Sequence, residues 1–477
     1  MCGMSVKSIM RSAALLALVT VLTFPAGQAQ AASPENFDFN GDGYNDLAVG
    51  VPAARDYSGA GNSGLVTVLY GGPGGLSGHL IRSPERCLSG WDPEGNPYPC
   101  TSWGRSLAAA DIDADGRTDL VFSGERDVEV DSWKSGEGTP IKRYIDTPTG
   151  KRGLRAGQFD DRPGADIVTS WLDGAQNKLA GWYDGADPVA HLLGDGTAQV
   201  KETDAGDVDG DGKQELAVIA TKWVGGAQQA FLWLVDDPGQ APLKISELGS
   251  PTMCTASSPN PLGCPKPESN VAMGDVNADG RLDLVLATPS TATVQIWYGS
   301  ASGLSRAPNR ALKDLTWLWR LPDSGSLLAV GDVTGDGAAE IALGAPTATV
   351  HGKAGVGAVA LIPGSPAGPV VSDVRFVSED GIGPVVDGTP APPVADPLSG
   401  QGKAGDRFGE AVTIIDVTGD GKGELIVGVP GKNNANGMVA VLRGSGTGVS
   451  PTGAQVIDLG QFGIPSGLNR YGAVLLR

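Results

Sequence analysis

The chain has 477 residues, of which Gly supplies 72 and Pro 34. That share of helix-opposing residues excludes a helical bundle or coiled coil, while 40 % hydrophobic residues suffice for a sizeable core. With 54 acidic against 35 basic residues the net charge is −19, which argues against nucleic acid or an anionic membrane as partner.

The N-terminus reads as a secretory signal. Lys7 and Arg11 precede an apolar run from Ala13 to Phe24, and Ala29-Gln30-Ala31 fits the A-x-A cleavage pattern. Residues 1–31 are therefore expected to be removed, leaving residues 32–477 as a secreted, extracellular chain. The run is short for a membrane span, and no later segment approaches ~20 apolar residues, so no span is expected. No Cys directly follows the run, which argues against a lipid anchor. Losing Lys7 and Arg11 moves the charge from −19 to −21. Cys2 departs with the signal. Cys87, Cys100, Cys254 and Cys264 remain as two sequence-local couples in Pro/Gly-rich stretches. Export favours oxidation, so disulfides Cys87–Cys100 and Cys254–Cys264 are expected. Free thiols are the alternative. A zinc site is disfavoured because the couples lie far apart with no His nearby.

Internal repetition dominates the rest of the chain. Six segments share D-x-D/N/T-x-D-G-x-x-D/E followed by an apolar strand: Asp38–Asp46, Asp111–Asp119, Asp207–Glu215, Asp275–Asp283, Asp332–Glu340 and Asp416–Glu424. A seventh copy, Gln158–Asp166, keeps the length and the following strand but has Gln158 first and Arg162 fifth. Successive copies start 47 to 84 residues apart, so the unit is one supersecondary element with variable loops. Trp103-Gly104 and Phe408-Gly409 stand eight residues before their acidic loops. After each loop strand comes a Gly-rich turn and another strand, as in Leu65–Leu69 or Val439–Leu442. Short strands and Gly turns at this period predict an all-β, seven-bladed β-propeller with four-stranded blades; a solenoid is the alternative. The 446 residues after Ala31 allow about 64 per blade. The first repeat lacks a preceding aromatic-Gly strand, and the chain ends on one, Tyr471-Gly472-Ala473-Val474-Leu475-Leu476-Arg477. That strand is expected to complete blade one and close the ring.

The D-x-N-G-D-G-x-x-D-L-x-V-G-x-P pattern, the aromatic-Gly before it and the later G-x-V-x-V-L resemble the FG-GAP repeats of integrin α-chain propellers and their bacterial relatives. The resemblance spans essentially all of residues 32–477. It implies metal loops joining the first and second strands of each blade at one rim, with the remaining connections at the other.

Such a loop suits Ca²⁺, a hard ion that takes six to eight oxygens at about 2.3–2.6 Å. Positions 1, 3 and 5 turn their oxygens inward, Gly at position 6 permits the left-handed turn, and position 9 closes the cage with a carboxylate. The side-chain ligands would be Asp38, Asn40, Asp42 and Asp46 in the first loop, and Asp111, Asp113, Asp115 and Asp119 in the second. Asp207, Asp209, Asp211 and Glu215 follow, then Asp275, Asn277, Asp279 and Asp283. The last two sets are Asp332, Thr334, Asp336 and Glu340, and Asp416, Thr418, Asp420 and Glu424. Position 7 offers only its backbone carbonyl, leaving its side chain free to vary: Tyr44, Arg117, Lys213, Arg281, Ala338 and Lys422. Up to six calcium ions are expected, bound most tightly where all four side chains are carboxylates and least where Thr334 or Thr418 stands third. The seventh loop should hold none, with Arg162 placing a guanidinium among Asp160 and Asp166. The alternative is that these Asp and Gly residues only shape turns.

Function is less legible. Lengthened connections at Arg55–Ser63, Ser83–Ser102, Ser250–Ser269 and Ser378–Arg407 are candidate recognition loops, the last of them Pro/Gly-rich and otherwise unpatterned. Trp91 and Tyr98 would stack on a sugar or peptide, or else pack their loop. Trp182, Tyr183, Trp297, Trp317 and Trp319 lie in strand-like runs and read as core. His79, His191 and His351 are isolated and read as surface or hydrogen-bonded residues. No G-x-S-x-G, H-E-x-x-H or phosphate-cradling loop occurs. The favoured reading is a non-enzymatic, monomeric binding or adhesion module for an extracellular glycan or protein. The alternative is a hydrolase or lyase acting on a polysaccharide or lipid, since similar repeats accompany such enzymes.

Overall fold

The computed structural model describes residues 36–54, 63–83, 103–124, 127–133, 141–146, 152–173, 176–182, 189–192, 195–224, 227–238, 243, 245–248, 269–313, 315, 327–386, 389–390, 402–464 and 466–477. The signal segment, the four remaining Cys, Trp91, Tyr98, Tyr183, Trp317 and Trp319 lie outside these residues, as does the Trp182 side chain.

Seven antiparallel sheets form seven blades. From the inner strand outward, blade 2 holds Ser106–Ala110, Asp119–Ser123, Asp127–Ser132 and Ile141–Asp146. Blade 3 holds Arg152–Gly157, Asp166–Asp173, Gln176–Trp182 and Val189–Leu192. Blade 4 holds Gln199–Gly206, Glu215–Val224, Ala227–Val235 and Ile245–Leu248. Blade 5 holds Asn270–Gly274, Asp283–Thr288, Thr293–Trp297 and Arg310–Leu312. Blade 6 begins with Leu328–Gly331, Glu340–Ala345, Ala358–Ile362 and Arg375–Ser378. Blade 7 holds Ala411–Ile415, Glu424–Gly428, Val439–Ser445 and Gly448–Ile457.

Blade 1 is assembled from both ends of the described chain. Leu47–Val51, Leu65–Tyr70 and Ser77–Arg82 are consecutive, and the inner strand is Val474–Leu475, which pairs with Gly50 and Val49. Leu476 adds its N–H to the Ala48 carbonyl at 3.0 Å. The expected closure is thus present. The seven inner strands touch their neighbours in an unbroken circle, which a solenoid cannot do.

The second strand of a blade explains the sequence pattern. Leu47–Val51 is buried along its whole length, as are Asp283–Thr288 and Glu424–Gly428, because the blade is covered on both faces. Burying each such Val or Leu contributes about 1.5–3 kcal/mol. The Gly inside the second strands of blades 1, 6 and 7 has a separate cause. The aromatic-Gly segment of the next blade lays its backbone against that Gly. A Cβ on Gly50 would lie 1.9 Å from the Gly104 carbonyl oxygen; one on Gly344 would lie 2.0 Å from that of Gly409, and one on Gly428 1.7 Å from that of Gly472. Trp103, Phe408 and Tyr471, beside these glycines, are buried. The Tyr471 hydroxyl meets Thr67 Oγ1 at 3.0 Å across the closing seam, and burial pushes its ionisation well above the usual phenol range.

Blade 6 corrects one expectation. The stretch from Ser378 is not without pattern: Gly381–Val386 pairs with Arg375–Ser378 as a fifth strand, and Thr389–Pro390 adds a sixth. Gly381, Gly383 and Pro384 had hidden it. A strand outside the four that pack between blades tolerates both residue types. Trp297 is fully buried, as expected. His351 Nδ1 lies 3.0 Å from Asp380 and the His79 ring packs on Phe462, so both are placed without a metal.

The seam geometry predicts that Gly428→Val overpacks the blade 7–blade 1 joint and costs about 3 kcal/mol, seen as a lower melting temperature. Gly446→Ala, where a Cβ meets nothing within 4 Å, should stay within about 0.5 kcal/mol. Deleting residues 468–477 should also lower the melting temperature sharply; unchanged melting would count against closure.

Candidate metal centres

All the acidic loops lie on one rim, each leading into the second strand of its blade; in blades 2, 4, 5, 6 and 7 they join it to the inner strand, while in blade 1 the inner strand comes from residues 474–475. Their internal hydrogen bonds repeat from loop to loop. The first Asp is an acceptor for the turn: Asp38 Oδ1 receives the N–H of Gly41 at 2.6 Å and Oδ2 that of Gly43 at 2.8 Å. Asp111, Asp207, Asp275, Asp332 and Asp416 each receive the sixth residue's N–H in the same way. The fifth residue, Asp42, Asp115, Asp211, Asp279, Asp336 or Asp420, accepts the N–H of the seventh at 2.8–3.0 Å. Glycine at the sixth position has a positive φ, as in Gly43 at 91°, which lets the backbone curl round its carboxylates. Thr334 and Thr418 turn their hydroxyls inward onto Asp332 and Asp416 at 3.2 and 3.3 Å.

The ninth residue has a second task. It accepts the N–H of the second residue: Phe39 to Asp46 at 2.9 Å, Ile112 to Asp119 at 2.9 Å, and Val208 to Glu215 at 3.0 Å. Val276 to Asp283, Val333 to Glu340 and Val417 to Glu424 repeat it at 2.8–3.0 Å. Except for Ile112, which is half-buried, the second residues are core side chains, so the clasp ties each loop to the hydrophobic interior. The ninth carboxylates are themselves buried. Burial pushes Asp46, Asp119, Glu215, Asp283, Glu340 and Glu424 up to about 7, against the pull of their backbone hydrogen bonds. Repulsion from other carboxylates of the same loop adds to this in all six.

Two loops are densest in charge. Asp111, Asp113 and Asp115 each place an oxygen within 4.8 Å of the others, and Asp207, Asp209 and Asp211 do the same. The six donor sets consist of oxygen alone, which suits hard cations such as Ca²⁺, Mg²⁺ or Mn²⁺ and not zinc or copper. In the seventh loop Arg162 Nε pairs with Asp160 at 3.2 Å. Gln158 occupies the first position, with Nε2 donating to the carbonyls of Asp160 and Arg162 at 2.6 and 2.7 Å.

Neighbouring loops are also joined to each other, which the sequence reading missed. The N–H of the eighth residue donates to the first residue's carbonyl in the preceding blade. Ala165 thus reaches Asp111 at 2.6 Å, and Gln214 reaches Gln158, Ala339 reaches Asp275 and Gly423 reaches Asp332, each at 2.7 Å; Leu282 reaches Asp207 at 3.4 Å. Side chains complete the circle: Asn45 Nδ2 to the Asp416 carbonyl at 3.0 Å, and Thr118 Oγ1 to that of Asn36 at 2.5 Å. The seventh residues are not idle either. Arg117 reaches the Asn40 carbonyl at 3.3 Å, Arg281 that of Asp209 at 3.4 Å, and Lys213 pairs with Asp161 at 3.3 Å. Tyr44 and Lys422 lie over Gly419 and Gly335. Each long seventh side chain covers the preceding loop, so it is not free to vary as the sequence reading supposed. No local motif encodes a contact between loops about 50 to 80 residues apart.

Because the ninth carboxylates titrate near 7 when folded and near the ordinary carboxyl value when unfolded, the folded chain holds protons that the unfolded chain has lost. That stabilisation is full below the unfolded pKa and is lost as pH rises through the folded value. In chelator, the melting temperature should therefore fall between about pH 5 and about pH 8; thermal melts across that range measure it, and a rise would contradict the burial assigned to these six groups.

Comparison with family models identifies repeats in part of the chain. The FG-GAP repeat model matches residues 38–69 and 408–442, and the FG-GAP-like repeat model matches residues 275–343. None of the curated proteins matches. Among solved structures, the Dos1 propeller is 10 % identical, with 76 % of this chain and 69 % of that one covered and a TM-score of 0.38. BBS1N, solved in complex with ARL6DN and soaked with lead, is 14 % identical over 72 % and 78 %, with a TM-score of 0.39. Streptogramin B lyase is 11 % identical over 74 % and 92 %, with a TM-score of 0.34. None of the three transfers a ligand or reaction to this chain. The chain thus carries FG-GAP repeats in blades 1, 5, 6 and 7 of a seven-bladed β-propeller.

Proposed function

We propose that this propeller is a secreted, calcium-loaded binding module that recognises an extracellular glycan or protein on the rim opposite its acidic loops. The carrying observation is the sixfold recurrence of a tight, all-oxygen, carboxylate-rich loop, converging within 4.8 Å at Asp111-Asp113-Asp115 and at Asp207-Asp209-Asp211. Carboxylates held this close repel one another, and a divalent cation between them turns that repulsion into attraction. The side chains at positions 1, 3, 5 and 9 of the six loops, with the carbonyl of position 7, would hold the ions. Secretion rests on the Lys7 to Ala31 signal pattern.

The opposite rim carries the connections between second and third strands. One of these projects: Glu215–Val224 and Ala227–Val235 are long paired strands, and Trp223 near their tip is 74 % exposed. Beside it Lys222 lies 4.9 Å from the Phe231 ring centre and 3.6 Å from Asp195. An exposed indole with polar neighbours suits stacking on a sugar face. Trp223 therefore joins Trp91 and Tyr98 as a candidate contact. The hydrolase or lyase reading gains no support from several buried carboxylates outside the loops. Glu379 and Asp406 are paired with Lys432, Glu129 and Asp131 with Arg82, and Glu410 with Arg407 and Arg470.

Calorimetry of chelated protein with Ca²⁺ should give up to six sites, the weakest in the Thr334 and Thr418 loops. Each occupied site should add about 2.7 kcal/mol of stability at a hundredfold excess over Kd. Absence of stoichiometric heat, with unchanged melting, would reject the calcium claim. On a glycan and surface-protein panel, binding should require calcium, and Trp223→Ala should weaken it about tenfold without changing the melting temperature.

A further inference from the structure

We infer that the loop 158–166 is a metal-independent joint of the rim, in which the side-chain amide of Gln158 takes the place a divalent cation takes in the other six loops. For those six the inference rests on the calcium reading above; for this one it rests on geometry alone.

In the acidic loops the first side chain accepts. Both Asp38 oxygens receive backbone N–H groups. Gln158 reverses that polarity. Its Nε2 donates to the carbonyl oxygens of Asp160 and Arg162, drawing the third and fifth residues together from inside the turn. A cation does this by attracting oxygens; a carboxamide NH₂ has two donors and does it without charge. The fifth position completes the change. Where the other loops have Asp, Arg162 offers Nε to Asp160 Oδ2 at 3.2 Å and its backbone N–H to Asp160 Oδ1 at 2.7 Å. The third-position carboxylate is thus neutralised within the loop. An entering cation would meet amide hydrogens and a guanidinium.

Everything that joins this loop to the rest is kept. The Phe159 N–H clasps Asp166 at 3.1 Å. Ala165 donates to Asp111 on one side, and Gln214 donates to Gln158 on the other. The adjoining loops are 111–119 and 207–215, the two in which three carboxylates converge. They repel themselves most when no cation is bound. A joint that needs no ion stands between them and holds one end of each, so the rim withdrawn from calcium loosens elsewhere first.

Hydrogen exchange on the full chain, followed loop by loop in chelator and in calcium, tests this. The 158–166 segment should exchange equally slowly in both, while the six acidic loops slow about tenfold or more when calcium is added. A calcium-dependent slowing of similar size at 158–166 overturns the inference, and so does fast exchange there under both conditions. In chelator, Gln158→Ala should speed exchange at 158–166 about tenfold, with Glu340–Ala345 in blade 6 unaffected; an unchanged rate at 158–166 overturns the role of the amide. Indifference of the six acidic loops to calcium would refute the calcium reading, and the chelator comparison would still decide this one.

Discussion

One contact recurs in all seven blades: a buried carboxylate at the ninth loop position accepting the N–H of the second. It survives in the Gln158 copy, through Phe159 and Asp166 at 3.1 Å, where the first and fifth residues have been replaced. The contact fixes where the turn ends and the second strand begins. It also pins a core side chain such as Phe39, Val276 or Val417 under the loop. Such a carboxylate is costly to bury in charged form. The loop therefore concentrates electrostatic tension where each blade is knitted to its inner strand.

The rim then behaves as a collar. Each loop leans on the preceding one through an eighth-residue donor, and five of the seventh-residue side chains lie across the same joint. Neighbouring loops share hydrogen bonds, so a change in one shifts the groups that hold the next. The opposite side of the ring is held differently. There the aromatic-Gly segments of blades 2, 7 and 1 lie against glycines of the preceding blade so closely that no Cβ fits, as at Gly50, Gly344 and Gly428. One set of contacts is polar and charge-sensitive, the other steric and indifferent to charge.

Ion pairs reinforce particular seams. Arg82 of blade 1 joins Glu129 and Asp131 of blade 2 in a buried cluster, and Lys432 of blade 7 joins Glu379 and Asp406 at the blade 6 boundary. Arg477, following the inner strand of blade 1, pairs with Glu202 on the inner strand of blade 4. These pairs register blades that share no strand pairing. The desolvation of such buried pairs offsets much of their Coulombic attraction, so their net contribution to stability is small.

The sequence by itself determined the number of units, the loop positions, the strand that follows each loop and the closing role of residues 471–477. Each of these rests on local repetition or on alternation within a few residues, and such periodicity is written into the chain. It also marked Gln158 and Arg162 as departures from the pattern. It missed the strand Gly381–Val386, because Gly and Pro speak against a strand unless its place outside the packed four is known. It assigned no use to the side chains of Arg117, Arg281 or Lys213, and gave Trp223 no distinction from the other tryptophans. Those were decided only by the packed tertiary structure. Packing of one blade on the next brings residues 40 and 117, 209 and 281, or 161 and 213 into contact, and it sets which side chains face another blade and which face solvent. Proximity between distant segments is a property of the assembled curvature, and no single repeat carries it.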